Sequence, residues 1–386
     1  MKSTHVERAT IAIPQQTLDD LRHRLESGRW PDRETVKDTS QGVPFLKLQS
    51  LVNYWRGEYD WRACERLLNG WNPFRTEVSG LGIHFLHIRS PEATATPVIM
   101  THGWPGSILE FRKVIAPLTD PRAHGGDPND AVHLVLPSLP GYGFSDKPAD
   151  NDWTLRRIAS AWIEIMHRLG YIEGWIAQGG DWGAEISAEI GRLKATGCVG
   201  IHLNNFPSVP MTGKPKNKKE AALLKRRSIY EHDLSGYNQQ QRTRPQTLGY
   251  ALADSPIGQA AWIYEKFNDW TDNTSGPESI FSMQEMVDNI MLYWLNNAGA
   301  SSARRYWVHQ HSHEEQQRGK IILPVAFTAF PGDIIGTPEH LAEARIQQLV
   351  SWREAERGGH FAAWEQPEIF VRELRLGLRA ITAEID

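Results

Sequence analysis

The segment Ile176-Ala177-Gln178-Gly179-Gly180-Asp181-Trp182-Gly183-Ala184 constrains this chain more than any other. It reads as a β-strand that runs into a glycine-bracketed turn and then into a helix, with an aspartate at the apex. That is the layout of a nucleophile elbow, G-x-Nu-x-G, in which the apical side chain is pushed out of a sheet. Gly179 and Gly183 suit so tight a turn because a Cβ at either flank would strike the neighbouring strand or helix. The commonest apex is serine, whereas here it is Asp181. A carboxylate in that position attacks sp³ carbon and leaves an alkyl ester. In isolation the same residues also describe a glycine-rich loop with an N-capping aspartate. The rest of the chain decides between the two.

Upstream, 11–74 has helical periodicity: Thr17 can cap a run with Leu18, Leu21 and Leu25 on one face, and Phe45–Tyr54 and Trp61–Leu68 repeat the pattern. Short strands follow at Thr76–Val78, Ile83–Ile88, Pro97–Met100 and Val132–Leu136, then a helix over Leu155–Leu169, a strand at Gly174–Ala177, a helix from Trp182 and a strand at Cys198–Leu203. Alternating apolar strands and helices predict an α/β fold, a mostly parallel sheet covered on both faces. After Pro207 the chain becomes polar, helical and strand-free to about Ala300, as an insertion over the carboxyl ends of the strands would be. The sheet pattern resumes at Ile322–Phe330 and Leu349–Trp352, with a closing helix over Gln366–Ile381. The division predicted is an N-terminal meander over 1–74, a core over 75–208 and 310–386, and a helical lid over 209–309.

A net charge of −4 gives no reason to expect nucleic acid or an anionic membrane as partner. No apolar run is long enough to span a bilayer, and the polar N-terminus lacks a signal-like apolar stretch. Cys64 and Cys198 show no disulfide framework or metal-ligand spacing, so a reducing, cytoplasmic setting is expected. Most of the 15 tryptophans are expected in core or lid packing, and an aromatic-rich interior also suggests an apolar pocket.

Three more features fall in a compatible order. Thr101-His102-Gly103-Trp104-Pro105-Gly106-Ser107 directly follows the strand Pro97–Met100. A turn there aims the Trp104 N–H at the elbow, where with the Trp182 N–H it forms an oxyanion hole. Phe330-Pro331-Gly332-Asp333 follows a later strand, and Gly358-Gly359-His360-Phe361 comes near the C-terminus. Nucleophile, acid and histidine thus occur in the order of an α/β-hydrolase triad, Asp333 orienting His360 and His360 activating water. Opening a strained ring also needs an acid for the departing alkoxide, and a phenol can serve. The residues alone leave Tyr230, Tyr237, Tyr250, Tyr264, Tyr293 and Tyr306 open for that role.

Over nearly its whole length the chain resembles the epoxide hydrolases of the α/β-hydrolase superfamily, in the branch related to the microsomal enzyme. The residues that carry the resemblance are Arg29-Trp30-Pro31-Asp32 closing the leucine-rich first helix, the H-G-x-P motif at His102–Pro105, the elbow at Gly179–Gly183, Phe330–Asp333 and Gly358–Ala363. The resemblance implies Asp181 as nucleophile, Asp333 as charge-relay acid and His360 as base. It singles out Tyr237, upstream of Thr243-Arg244-Pro245, and Tyr306 in Arg304-Arg305-Tyr306 as ring-opening acids, and it places Ala261–Phe267 in a structural lid helix. It implies a small apolar or aromatic epoxide and water as reactants, no cofactor and no metal, and it is compatible with a homo-oligomer. The membrane anchor of the microsomal enzyme has no counterpart in the sequence, so a soluble, bacterial-type member is expected. A haloalkane dehalogenase with the same Asp-His-Asp set is the enzymatic alternative, disfavoured by the tyrosines and the meander. A noncatalytic hydrolase-fold binding protein is the other, disfavoured because the triad is complete.

Overall fold

A nine-stranded sheet organises the molecule, in the order β1-β2-β3-β5-β4-β6-β7-β8-β9. The computed structural model describes residues 5–205, 215–313 and 318–384. Strands β1 (Val6–Arg8), β2 (Pro73–Val78) and β3 (Leu81–Ile88) form an antiparallel flank, and β3 pairs antiparallel with β5 (Val132–Pro137). From β5 onward, β4 (Thr96–Thr101), β6 (Trp175–Gly179), β7 (Cys198–Leu203), β8 (Val325–Ala329) and β9 (Leu349–Glu354) are all parallel to their neighbours. Every residue of β5 and β6 is buried, as expected of strands covered on both faces.

The chain leaves β4 for β5 on one side and returns to β6 on the other. Strand order therefore reverses between β4 and β6, and a crevice opens beyond their carboxyl ends. Helix α5 (Leu155–Arg168) follows the 3.6-residue rule: Leu155, Ile158, Trp162 and Ile165 are buried along one stripe, and Thr154 caps its start.

The first three helices, α1 (Gln15–Ser27), α2 (Phe45–Gly57) and α3 (Trp61–Gly70), precede the main sheet strands. Helix α1 begins two residues before the expected cap. Pro14 precedes it and no side chain caps it, while Thr17 lies inside the first turn with its N–H on the Pro14 carbonyl. Pro14 sits at the cap itself with extended backbone and offers no side-chain acceptor, so the first turn is held by its carbonyl alone. Strand β1 was outside the sequence expectation; three residues are too few to show a period of two.

A short helix α4 (Ile115–Thr119) and α6 (Trp182–Arg192) complete the helices before β7. Between β7 and β8 the described residues contain no strand. They form α7 (Lys218–Ile229), a π-type turn Tyr230–Leu234, α8 (Gly236–Thr243), α9 (Pro245–Asp254), α10 (Pro256–Trp270), α11 (Met283–Trp294) and α12 (Gly299–His311). The expected start of this insertion at 209 lies outside the described residues. Among the described residues no helix is long and apolar enough to cross a membrane.

One buried charge cluster ties three segments together. Asp288 on α11 accepts from Arg112 at 2.8 Å, from Tyr59 at 3.0 Å and from Gln284 at 2.7 Å. Burial raises the Asp288 carboxyl pKa, and Arg112 works against that rise. Removing one partner of a buried pair strands the other charge. Asp288→Ala is therefore expected to lower the unfolding free energy by about 3 kcal/mol, read from urea denaturation. A loss below about 1 kcal/mol, the surface-pair range, would show that the cluster is not a structural tie.

Candidate active site

The elbow forms as the glycine spacing requires. Strand β6 lies beside β4 with Thr101 opposite Gly179, and the chain turns at Asp181, which adopts φ 50° and ψ −127°. A non-glycine residue in that region is strained, and surrounding packing must hold it there. A Cβ on Gly183 would run into the Thr101 carbonyl, and one on Gly179 into the Gly183 backbone. A Cβ on Gly103 would land on the Asp181 carboxylate itself. These three glycines let two strand ends and one helix start occupy the same small space.

The turn after β4 faces the elbow, with a cis peptide between Trp104 and Pro105. The Trp104 N–H donates to Asp181 Oδ1 at 2.9 Å. Helix α11 props the turn: Asn289 Nδ2 donates to the Pro105 carbonyl at 2.8 Å, and the Tyr293 hydroxyl to the Gly106 carbonyl at 2.7 Å. His102 accepts at Nε2 from the Leu139 N–H and bonds the Gly103 carbonyl through Nδ1. That pattern needs a neutral ring protonated at Nδ1, and burial agrees by pushing the His102 pKa down to about 4. Trp182 N–H begins α6 immediately after Asp181.

Asp333 follows β8, and His360 follows β9. His360 Nδ1 lies 2.9 Å from Asp333 Oδ1, and His360 Nε2 lies 3.6 Å from Asp181 Oδ2. A carboxylate only accepts, so Nδ1 carries the hydrogen and Nε2 faces Asp181. Asp333 is itself fixed by the Ile334 N–H at 2.7 Å and by Asn205 Nδ2 at 2.6 Å. Burial opposes charge on the His360 ring, but Asp333 and Asp181 outweigh it and hold the histidine pKa well above its usual value.

Of the six candidate tyrosines, Tyr230, Tyr237 and Tyr306 line one cavity of about 270 Å³ together with Asp181, Trp182 and His360. Tyr237 stacks on Trp104 with ring centres 5.0 Å apart, and Tyr306 meets Trp182 edge-on at 4.8 Å. The Tyr230 and Tyr237 hydroxyls are 3.1 Å apart. Burial raises the pKa of both Tyr237 and Tyr306 well above the usual phenol value, so both are neutral donors at pH 7. Tyr250 is exposed, Tyr264 bonds Glu278, and Tyr293 is committed to the Gly106 carbonyl.

Sequence reasoning missed several contributors. Asn205 holds Asp333, and its one signal was its place directly after a parallel strand. Glu365 accepts from the N–H groups of Asp272, Gly359 and Phe361, clamping the loop that carries His360; burial pushes its pKa up to about 7. Glu110 packs under the Gly103–Ser107 turn, and burial pushes its pKa up to about 8, with His360 working against the rise and the Asp181 charge adding to it. Nothing in the sequence separates these carboxyls from surface ones.

Comparison with known proteins agrees with this architecture. The family described as "Epoxide hydrolase N terminus" matches residues 6–111, and the "alpha/beta hydrolase fold" family matches residues 96–209. A "Putative epoxide hydrolase" of Stigmatella aurantiaca is 53% identical over 97% of this chain and 85% of its own length. "Epoxide hydrolase 1" of Oryctolagus cuniculus is 37% identical over 94% of this chain and 86% of its own. The solved structure of Aspergillus niger epoxide hydrolase superimposes with a TM-score of 0.85 at 30% identity, covering 100% of this chain and 98% of that one.

The charge balance at His360 is testable. Because its folded pKa is raised, the stability it contributes is full below the unfolded value of about 6.5 and fades as pH rises through the folded value. Asp333→Asn removes the stronger of the two charges that raise it. In an NMR titration the His360 midpoint should fall in that variant, and the stability gap from wild type should narrow from pH 6 toward alkaline pH. An unchanged midpoint would show that Asp333 does not set it.

Proposed function

The chain belongs to the epoxide hydrolase family and has its α/β-hydrolase fold, and from that premise we propose a two-step hydrolysis through an ester on Asp181. The observation that carries this reading is the Asp181 carboxylate, with one oxygen on the Trp104 N–H and the phenols of Tyr237 and Tyr306 lining the same cavity.

In the first step Asp181 Oδ2 bonds to an epoxide carbon as the ring C–O bond breaks. The electron pair goes to the epoxide oxygen, which takes a proton from a tyrosine and leaves a tyrosinate to be reprotonated. Tyr237 and Tyr306 share this task. The choice of Oδ2 follows from the geometry: Oδ1 is held by the Trp104 N–H and becomes the ester carbonyl oxygen. In the second step water attacks the ester carbon, and the charge developing on Oδ1 meets a donor already in place, joined by the Trp182 N–H. One such donor is typically worth about 3 kcal/mol of barrier. His360 takes the proton from water, and Asp333 steadies the resulting imidazolium. The tetrahedral intermediate collapses as its ester C–O bond breaks, the imidazolium returns its proton to the departing alkoxide, and the diol leaves; the proton left on the Asp181 carboxyl goes to the tyrosinate, which restores the carboxylate and the phenol.

The histidine's charge suits this order. Asp181 is one of the two anions that raise the His360 pKa, and esterification removes its charge. The ring therefore becomes easier to deprotonate as it is needed to act as base. The helices from α7 to α12 bring the tyrosines and serve as the lid, and α1 to α3 form the meander. Trp182, Ile334 and Ile335 suit a small apolar or aromatic substituent on the epoxide. The free, buried Cys64 and Cys198 support a reducing, cytoplasmic setting.

Two measurements test the scheme. His360→Gln, incubated with an aryl epoxide, should gain the mass of one epoxide on Asp181 and turn over slowly; normal turnover without an adduct would sink the ester pathway. Tyr237→Phe and Tyr306→Phe should each slow ring opening by about 10- to 100-fold, and the double change by about 1,000-fold or more, in stopped-flow single turnover. A double variant with wild-type speed would remove the tyrosines from the mechanism.

A further inference from the structure

Lys266 is fully buried on α10, a rare position for a lysine. Its Nζ pairs with the Glu265 carboxylate and lies over the Tyr237 ring, 4.6 Å from the ring centre, and 5.7 Å from the centre of Trp270. Asp269, one turn along, also faces it, and its carboxyl pKa is raised by burial and held back by Lys266. Glu265 is only partly buried, so the pair does not need Lys266 inside to form. A methionine of similar length would fill the same space without removing a charge from water, and burying a cation is costly. Glu265 and Asp269 offset part of that cost, and what burial adds is the placement of the cation against the Tyr237 ring.

We propose that Lys266 is a positioning residue for ring opening, its buried cation stabilising the tyrosinate that Tyr237 becomes when it gives its proton to the epoxide oxygen. A neutral phenol offers the cation only the weakly negative face of its ring. A tyrosinate spreads a full negative charge over oxygen and ring, so the attraction grows as the proton leaves. An interaction stronger in the transition state than in the ground state accelerates the step. Among the groups around Tyr237, burial, the Tyr230 hydroxyl and the Asp181 charge raise its pKa, the Tyr306 hydroxyl lowers it through a hydrogen bond, and Trp104 stacks on it without charge. Lys266 is the cation placed against its ring. The inference rests on the reading of Tyr237 as a proton donor.

The experiment is a double-mutant cycle on the full-length protein with an aryl epoxide. Ring opening and ester hydrolysis are resolved as separate phases of tryptophan fluorescence in stopped flow. Lys266→Met should slow ring opening on the order of 10-fold and leave ester hydrolysis within about 2-fold, the precision expected for independent sites. Lys266→Arg, which keeps a cation, should recover most of the loss. In a Tyr237→Phe background Lys266→Met should add less than about 2-fold, because no tyrosinate then forms at that position. Equal losses in both backgrounds, or parallel losses in both steps, would mark Lys266 as structural and overturn the proposal. Glu265→Gln supplies a control that does not remove the lysine. It should leave ring opening as fast or faster, and a slowing like that of Lys266→Met would also overturn it. If Tyr237→Phe alone leaves ring opening untouched, the proton-donor reading fails instead.

Discussion

A single hydrogen bond, from the Trp104 backbone to Asp181, joins the ends of two neighbouring strands, and much of the site exists to permit it. It requires β4 and β6 to be adjacent and parallel, so that both turns emerge at the same edge of the sheet. It requires no side chain at Gly103, where a Cβ would displace the carboxylate, and none at Gly183, where a Cβ would push α6 off the Thr101 carbonyl. It also requires the Trp104 turn to keep its shape, which Asn289 and Tyr293 enforce from α11 through the next two carbonyls. Helix α11 is therefore part of the geometry around the Asp181 carboxylate. The buried Asp288 cluster, on the same helix as Asn289 and Tyr293, keeps that helix anchored to Arg112 and Tyr59.

Around this contact the site limits how many charges are present at once. Asp181, Asp333, Glu110 and Glu365 all act electrically on or near His360. Four ionised carboxylates around one imidazolium would be heavily unbalanced in a desolvated pocket. Burial pushes Glu110 up to about 8 and Glu365 up to about 7, so both hold a negative charge less readily than ordinary carboxyls. Asp181 and Asp333, each supplied with backbone or amide donors, are the two carboxylates whose charges raise the His360 pKa.

What could be read from the sequence follows the range of each interaction. The elbow was legible because a tight turn writes itself into adjacent glycines, and the alternation of strands and helices gave the parallel sheet. Asp333 and His360 were legible through local turns at the ends of strands. Lys266 and Glu365 were visible only as one lysine and one glutamate among many, since their burial depends on α10 and on the loop at Gly358–Phe361 packing from distant parts of the chain. The tyrosines fall between these cases. Their chemistry narrowed the choice to six, but which of them share a cavity with Asp181 is a property of how helices α7 to α12 pack. That packing sends Tyr264 toward Glu278 and Tyr293 to the Gly106 carbonyl, while Tyr230, Tyr237 and Tyr306 remain at the cavity.

The split between a local elbow and nonlocal acids has a mechanistic logic. In the proposed mechanism the nucleophile and its oxyanion donor must hold a carboxylate to within a fraction of an ångström, which short turns on a rigid sheet can do. Proton donors must instead meet an oxygen whose position shifts with the substrate, and side chains on separate helices can be placed for different epoxides without disturbing the sheet. Exchanging substituents at Trp182, Ile334 or the other cavity walls would then alter which epoxide fits, while the proposed ester chemistry at Asp181 stays fixed by the backbone around it. Variation in substrate and constancy of reaction are in this way assigned to different parts of one fold.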